Sequence, residues 1–319
     1  MFLIPVVIIL LLLFCIALLF HNAMFKKRFT HDPDIELYKE EDFQLNSVKY
    51  SVKIKKETIN GKFYFKENYK KDKLIVVCHG MFSSHLSYMQ DIGYLCNRGY
   101  KVFGFDYVGT SSSTGKSLVG FGSSIRSLDY VIKTLLKEDE FKNIDLYVYG
   151  HSWGGHAVTN ITKFEPRIKG VIALAPALSF EDVIKGLVPK FMYPMIPFLS
   201  LIEKIKLGRY GSCKAHKSFK KYQGKVLVIH SKDDHMVKYN LTTLKLEKRY
   251  PNFKYLILND RKHNPVYTVE AVNKMDAYNL KSRSLSEQEK LELKKQTNFL
   301  EFGELDFEIL ENIVHFIEQ

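Results

Sequence analysis

The 319-residue chain has only four cysteines, Cys15, Cys78, Cys96 and Cys213, and no two stand at C-x-x-C spacing. Cys15 and Cys78 lie inside apolar runs, so the thiols read as small buried hydrophobes in a reducing compartment, not as a disulfide framework or zinc site. His79, His151, His230 and His235 lack the spacing of metal ligands, and no metal or cofactor is expected. No RNA- or DNA-binding motif is present. The net charge is +12 and the pI about 9.2, yet the basic residues are spread along the chain. That spread reads as lysine-rich solvated faces, and nucleic acid is set aside as a partner. Internal repeats are absent. Hydrophobic residues at 46% and charged residues at 26% exclude disorder as the default, and the length allows one large α/β domain or two small ones.

Charge is also missing from the first twenty residues, MFLIPVVIILLLLFCIALLF. As helix, the 19 residues from Phe2 to Phe20 reach ~28 Å, close to a ~30 Å hydrocarbon core. No lysine or arginine precedes the run and no small-x-small cleavage site follows it, which argues against a signal peptide. Phe14 before Cys15 is wrong for a lipoprotein signal. Residues 1–22 are therefore expected to form an uncleaved, single-pass transmembrane anchor. Lys26, Lys27 and Arg28 on its C-terminal side place that side in the cytoplasm.

A juxtamembrane linker is expected over 23–47, and the catalytic-type domain over 48–319. SVKYSVKIKKETINGKFYFKE alternates polar and apolar residues around Asn60-Gly61, which predicts a hairpin turning at that dipeptide. Beyond it, apolar strands (KLIVVCHG, KVFGFDYVG, IDLYVYG, GVIALAPA, KVLVIHS, KYLILND) alternate with amphipathic helices. In SSIRSLDYVIKTLLKED, Ile125, Leu128, Val131, Ile132, Leu135 and Leu136 share one face. Continuous apolar strands between helices mean an α/β fold, a mostly parallel sheet flanked by helices on both faces. Residues 177–222 break the rhythm: apolar, proline-interrupted and without a strand signal, they read as an inserted cap. Near the C-terminus, Ser286 and Glu289 match a capping box, and Leu305, Ile309, Ile313 and Ile317 form a stripe that packs on the sheet.

Within YVYGHSWGGHA, Gly150, Ser152 and Gly154 fit G-x-S-x-G. A serine on a sharp strand-to-helix turn sits in a strained conformation, and only glycine two residues either side avoids the neighbouring strand and helix. A serine hydroxyl needs a base to take its proton and a carboxylate to fix that base's tautomer. Downstream, KVLVIHS ends in Lys232-Asp233-Asp234-His235, and KYLILND ends in Arg261-Lys262-His263. Serine, acid and histidine thus appear in the order this kind of sheet uses, each just past a strand's C-terminal end.

The chain resembles serine hydrolases of the α/β-hydrolase superfamily, in the branch of monoglyceride lipases, lysophospholipases and serine aminopeptidases. The resemblance covers roughly residues 48–270. It rests on Cys78-His79-Gly80-Met81, Asp106-Tyr107-Val108-Gly109, the Gly150–Gly154 turn, Asp234 with Val237, and His263. It implies the α/β-hydrolase fold with a helical cap, and a triad of Ser152, Asp234 and His263. An acid followed three residues later by valine favours Asp234 over Asp233. Where many relatives carry Arg-Gly-His-Gly-x-Ser after the second strand, this chain has Val108-Gly109-Thr110-Ser111-Ser112-Ser113. An oxyanion hole is implied too, from the backbone N–H groups of Met81 and Trp153. His79 is read as a brace for its loop, and His151, His156 and His235 as packing or surface residues.

Cap residues Leu187, Val188, Phe191, Met192, Tyr193, Met195, Ile196, Phe198, Leu199 and Ile202, with lysines at 185, 190, 204 and 206, suit an acyl chain approached from a membrane. The expected function is cleavage of a small-molecule or lipid ester, such as a monoacylglycerol or lysophospholipid, through an acyl-enzyme. A peptidase or thioesterase with the same triad, and a non-catalytic ligand-binding protein of the same fold, are the alternatives.

Overall fold

The computed structural model describes residues 3–319. A long helix α1 (Leu3–Phe25) comes first, followed by strands β1 (Asn46–Ile54) and β2 (Glu57–Phe65). Strands and helices then alternate: β3 (Lys73–Cys78), α2 (Met89–Asn97), β4 (Lys101–Phe105), α3 (Ser123–Leu135), β5 (Asp145–His151), α4 (Trp153–Ile161) and β6 (Gly170–Leu174). Before β7 (Lys225–Ser231) the chain forms only helices, α5 (Phe180–Leu187), α6 (Ile196–Leu207) and α7 (Ala215–Ser218), joined by 3-10 turns. This is the cap. It is followed by α8 (Thr243–Arg249), β8 (Lys254–Leu258), α9 (Val269–Arg283), α10 (Glu287–Lys295) and α11 (Phe307–Glu318).

The sheet order is β1-β2-β4-β3-β5-β6-β7-β8. β2 runs antiparallel to β1 and β4, and every other pairing is parallel. Strands such as Leu74–Cys78 are buried on both faces, which is why they read as unbroken apolar runs and not as alternating ones. Strand order reverses at β3, whose neighbours are β4 and β5, so the loops leaving β3 and β5 diverge and open a crevice at the carboxyl edge. That edge is where Met81 and Ser152 lie. α3 buries Ile125, Leu128, Val131, Ile132 and Leu135, and α11 buries Ile309, Ile313 and Ile317, as the helical stripes require. The capping box of Ser286 and Glu289 opens α10.

The hairpin turns elsewhere than expected. Ile54 pairs with Glu57, so the turn is Lys55-Lys56, with Lys55 at φ +55°. Asn60-Gly61 lies inside β2, with Gly61 opposite both Tyr50 and Phe105. A Cβ on Gly61 would sit 2.5 Å from the Gly104 carbonyl oxygen and 2.7 Å from the Phe105 Cβ. The glycine marks close strand approach instead of a turn.

The segment after the apolar run is no free tether. Ala17, His21 and Phe25, four residues apart on one face of α1, are buried against the domain. Phe14 meets Phe198 at 6.4 Å between ring centroids, and Phe25 meets Phe180 at 5.8 Å. His21 Nε2 donates to the Glu203 carboxylate at 2.7 Å, both side chains fully buried. Glu203 also accepts the N–H groups of Phe121 (2.7 Å) and Gly122 (3.0 Å), so cap, helix and the loop before α3 share one carboxylate. Beyond α1, Phe29 pairs with Gly109 and Ser111, and Arg28 donates to the Gly115 carbonyl at 2.9 Å.

Deleting residues 1–12 should therefore leave stability in detergent unchanged, because that half of α1 touches little of the domain. Deleting 1–25 removes the buried Phe25 and leaves Glu203 without its histidine. It should lower the unfolding free energy by about 3 kcal/mol or more, read as a shift of the urea midpoint.

Candidate active site

β5 runs into Ser152, whose backbone lies at φ 56°, ψ −110°, a sparsely populated region for a serine. Neighbours hold it there: Ser152 N–H donates to the Leu174 carbonyl at 2.9 Å, and the Ser152 carbonyl accepts from His156 and Ala177. A Cβ on Gly154 would run into the Cys78 carbonyl oxygen, so only glycine lets α4 start this close to the end of β3. That proximity brings the Trp153 N–H, first in α4, beside the loop carrying Met81. Neither N–H has an acceptor among the described residues. Trp153 is fixed by its indole, which donates to the Phe121 carbonyl at 2.7 Å. Phe121 is also one of the residues held by Glu203.

At the end of β7, Asp234 is buried. One carboxylate oxygen accepts from Met236 (2.8 Å) and Val237 (2.9 Å) N–H groups. The other accepts from His263 Nδ1 at 2.8 Å and His230 Nε2 at 3.1 Å. Burial alone would raise the Asp234 pKa, but the bonds from His230 and His263 outweigh it and hold the carboxyl well below the usual carboxylate range. With Nδ1 donating to Asp234, His263 keeps Nε2 unprotonated and free to act as a base. No hydrogen bond joins Ser152 Oγ to His263 here. His263 reaches the serine turn through its neighbour, its ring lying 4.8 Å from that of His151. Asp233 has another task, bridging Ser231 and the Lys262 N–H across the ends of β7 and β8.

His151 does more than packing, and His230, given no role from the sequence, takes part as well. Tyr88 hydroxyl accepts the Gly80 N–H (3.0 Å) and donates to His151 Nδ1 (2.8 Å), while His151 Nε2 donates to the His263 carbonyl (2.7 Å). His151 thus links the loops after β3 and β8. His230 accepts from Thr243 and donates to Val237 and Asp234. The signal for it was a lone polar residue inside the apolar strand KVLVIHS. His79 braces its loop, donating from Nδ1 to the Gly80 carbonyl at 2.7 Å and accepting from Tyr107 N–H at 3.3 Å. Asp106, buried in the next loop, accepts from His85 and Ser112. Among the described residues no group of three or more His, Cys, Asp or Glu side chains could hold a metal ion.

The serine aminopeptidase S33 family model matches residues 69–210. In structure the chain is similar to an esterase from Pyrococcus furiosus, at 18% identity over 81% of this chain and 95% of that one, with a TM-score of 0.57. It is also similar to Est1E from Butyrivibrio proteoclasticus, solved with ferulic acid bound, at 19% identity over 73% and 98% of the two chains and a TM-score of 0.56. No curated protein sequence matches. Strand order and these likenesses show that the chain has the α/β-hydrolase fold.

Burial pushes His79 down to about 4, and His151 and His156 down to about 3. Unfolded, these rings protonate near pH 6.5, so the unfolded chain binds more protons between about pH 4 and 6.5. Asp91, raised by burial to about 6, works in the opposite direction. The four groups together leave a net uptake of about two protons on unfolding near pH 5. Stability should fall by a few kcal/mol as pH drops from 6 to 4, measured by urea unfolding at fixed ionic strength. His156→Gln should shallow that slope by roughly a third to a half.

Proposed function

We propose that this protein is a serine hydrolase that cleaves a carboxylic ester with an apolar acyl group, of monoacylglycerol or lysophospholipid type, at a membrane. The observation that carries the reading is the Asp234–His263 hydrogen bond, on the same sheet edge as a strained Ser152 and two unpaired N–H groups. Ser152 Oγ attacks the ester carbonyl as His263 Nε2 takes its proton. Asp234 keeps the tautomer and stabilises the imidazolium. The carbonyl oxygen becomes an oxyanion facing the N–H groups of Met81 and Trp153, each donor worth about 10²- to 10³-fold in rate. On collapse the ester C–O bond breaks and His263 gives its proton to the leaving alcohol. Water, deprotonated by the same histidine, then attacks the acyl-enzyme and releases the acid and Ser152.

Composition supports the substrate class. The cap is built largely from apolar side chains, and α1 has a mean hydropathy of 3.0 over a stretch long enough to cross a bilayer. Lys26 and Lys27 are exposed after it, so the domain lies on the cytoplasmic side in this reading. Arg28 adds less to that argument, being turned inward to Gly115 and Ser111. The aminopeptidase description of the matching family model supports an amide substrate as the second reading, since the same site would cleave either bond.

Full-length protein in detergent should hydrolyse p-nitrophenyl esters with an optimum above the shortest acyl lengths. Ser152→Ala should abolish turnover and labelling by a fluorophosphonate, and Asp234→Asn should cost about 10⁴-fold in kcat. Asp233→Asn should stay within a few-fold of the parent. An active Ser152→Ala enzyme would remove the nucleophile assignment. A folded, labelled parent inactive on every ester would shift the reading to amides.

A further inference from the structure

Two helices run side by side and in the same direction where α1 meets the cap. Phe14 touches Phe198, and one to two turns further on His21 meets Glu203. Lys206 Nζ then reaches both His21 Nδ1 (3.1 Å) and Asn22 Oδ1 (2.8 Å). The 3-10 turn Lys190–Met195 packs against α1 as well. Depth along one helix therefore fixes depth along the other.

With α1 in a bilayer, the apolar stretch ending at Phe20 puts that residue near the boundary of the hydrocarbon core. Phe14, six residues earlier, then lies ~9 Å inside it. Phe198 is at the same level because it touches Phe14. The start of α6 and the turn before it are carried into the leaflet unless the buried His21–Glu203 contact breaks.

The sequence there suits that position. From Leu187 to Ile202 the chain reads LVPKFMYPMIPFLSLI, with Lys190 its single charge. Several large apolar side chains of this part of the cap point outward: Phe191 is 81% exposed, Ile205 67%, Leu187 53% and Leu201 47%. α1 has exposed apolar side chains as well, Ile16 at 49% and Leu19 at 70%. The charged groups cluster at the outer end, Lys204 and Lys206 on the last turn of α6 beside Asn22, where a headgroup layer would begin. Lys190 has a four-carbon stem long enough to reach toward that layer.

Resting on the reading of α1 as membrane-inserted, we propose that the cap segment from Leu187 to Ile202 is immersed in the same leaflet as α1, with phospholipid acyl chains as its partner. The membrane contact of this protein is then a two-part surface, a helix plus the cap face beside it. The domain is seated on the bilayer by its cap and does not hang from a linker. A lipid ester can pass from the leaflet to the cap without crossing bulk water.

The test uses the full chain with Cys15→Ser, carrying single cysteines at Leu10, Phe191, Leu201 or Lys142, labelled with an environment-sensitive fluorophore and reconstituted into vesicles with doxyl-labelled phospholipid. Labels at 10, 191 and 201 should be quenched and blue-shifted, and the label at 142 on the far loop before β5 should be neither. Quenching at 10 alone would overturn the proposal while leaving the membrane helix intact. No quenching at 10 would overturn the membrane reading and this proposal with it. As an independent measure, Leu201→Asp should cut hydrolysis of a long-chain ester embedded in vesicles by about threefold or more and leave a soluble short-chain ester within about twofold of the parent. Equal losses on both substrates would count against immersion.

Discussion

The conformation of Ser152 is the constraint from which the rest of the site follows. A serine at φ 56°, ψ −110° persists only if its surroundings over-determine it, and they do. Leu174 at the end of β6 accepts its N–H, and Ala177 at the start of the cap donates to its carbonyl. The end of β3 presses on α4 where Gly154 leaves room. One strained residue thereby ties together three strands, the cap's first residues and the helix α4 that starts directly after it. The strain is local, but the structure that holds it extends over the sheet's whole carboxyl edge.

Polar groups around that edge are connected in two sets that meet at the serine turn. One joins Gly80, Tyr88, His151 and His263, and through His263 reaches Asp234 and His230. The other joins Trp153, Phe121, Glu203 and His21. In the first, His151 links the Tyr88 hydroxyl to the His263 carbonyl, and in the second the Glu203 carboxylate takes two backbone N–H groups that would otherwise lack partners, which low-dielectric surroundings would penalise heavily. The first set carries the chemistry proposed for the site. The second extends from it to the apolar helix.

What could be read from sequence follows the range of the interactions. Parallel strands buried on both faces are unbroken apolar runs, so β3 to β7 were legible, and the edge strand β8 by its apolar run alone, as was the proline-rich interruption of the cap. The serine turn is a local steric problem with one local solution, and its glycines announce it. Asp234 and His263 are recognisable because they follow strands that are themselves recognisable, and their pairing is a matter of geometry. Asn60-Gly61 misled because the same dipeptide answers two demands, a positive φ in a turn and close backbone approach in a strand. Only the Phe105 register distinguishes them. His151, His230 and the His21–Glu203 contact were illegible for a related reason: each acts across elements far apart in the chain, and nothing beside it in sequence names the partner.

That last contact sets an order on the protein's own synthesis. His21 and Glu203 are 182 residues apart. At about 5–20 residues per second, the ribosome makes His21 about 10–40 s before Glu203 exists. Throughout that interval the first helix has no docking partner, and its imidazole must stay solvated or wait at an interface. The cap completes its packing only when α6 emerges and closes on a helix already in place. A chain of this design closes its cap onto a surface laid down first.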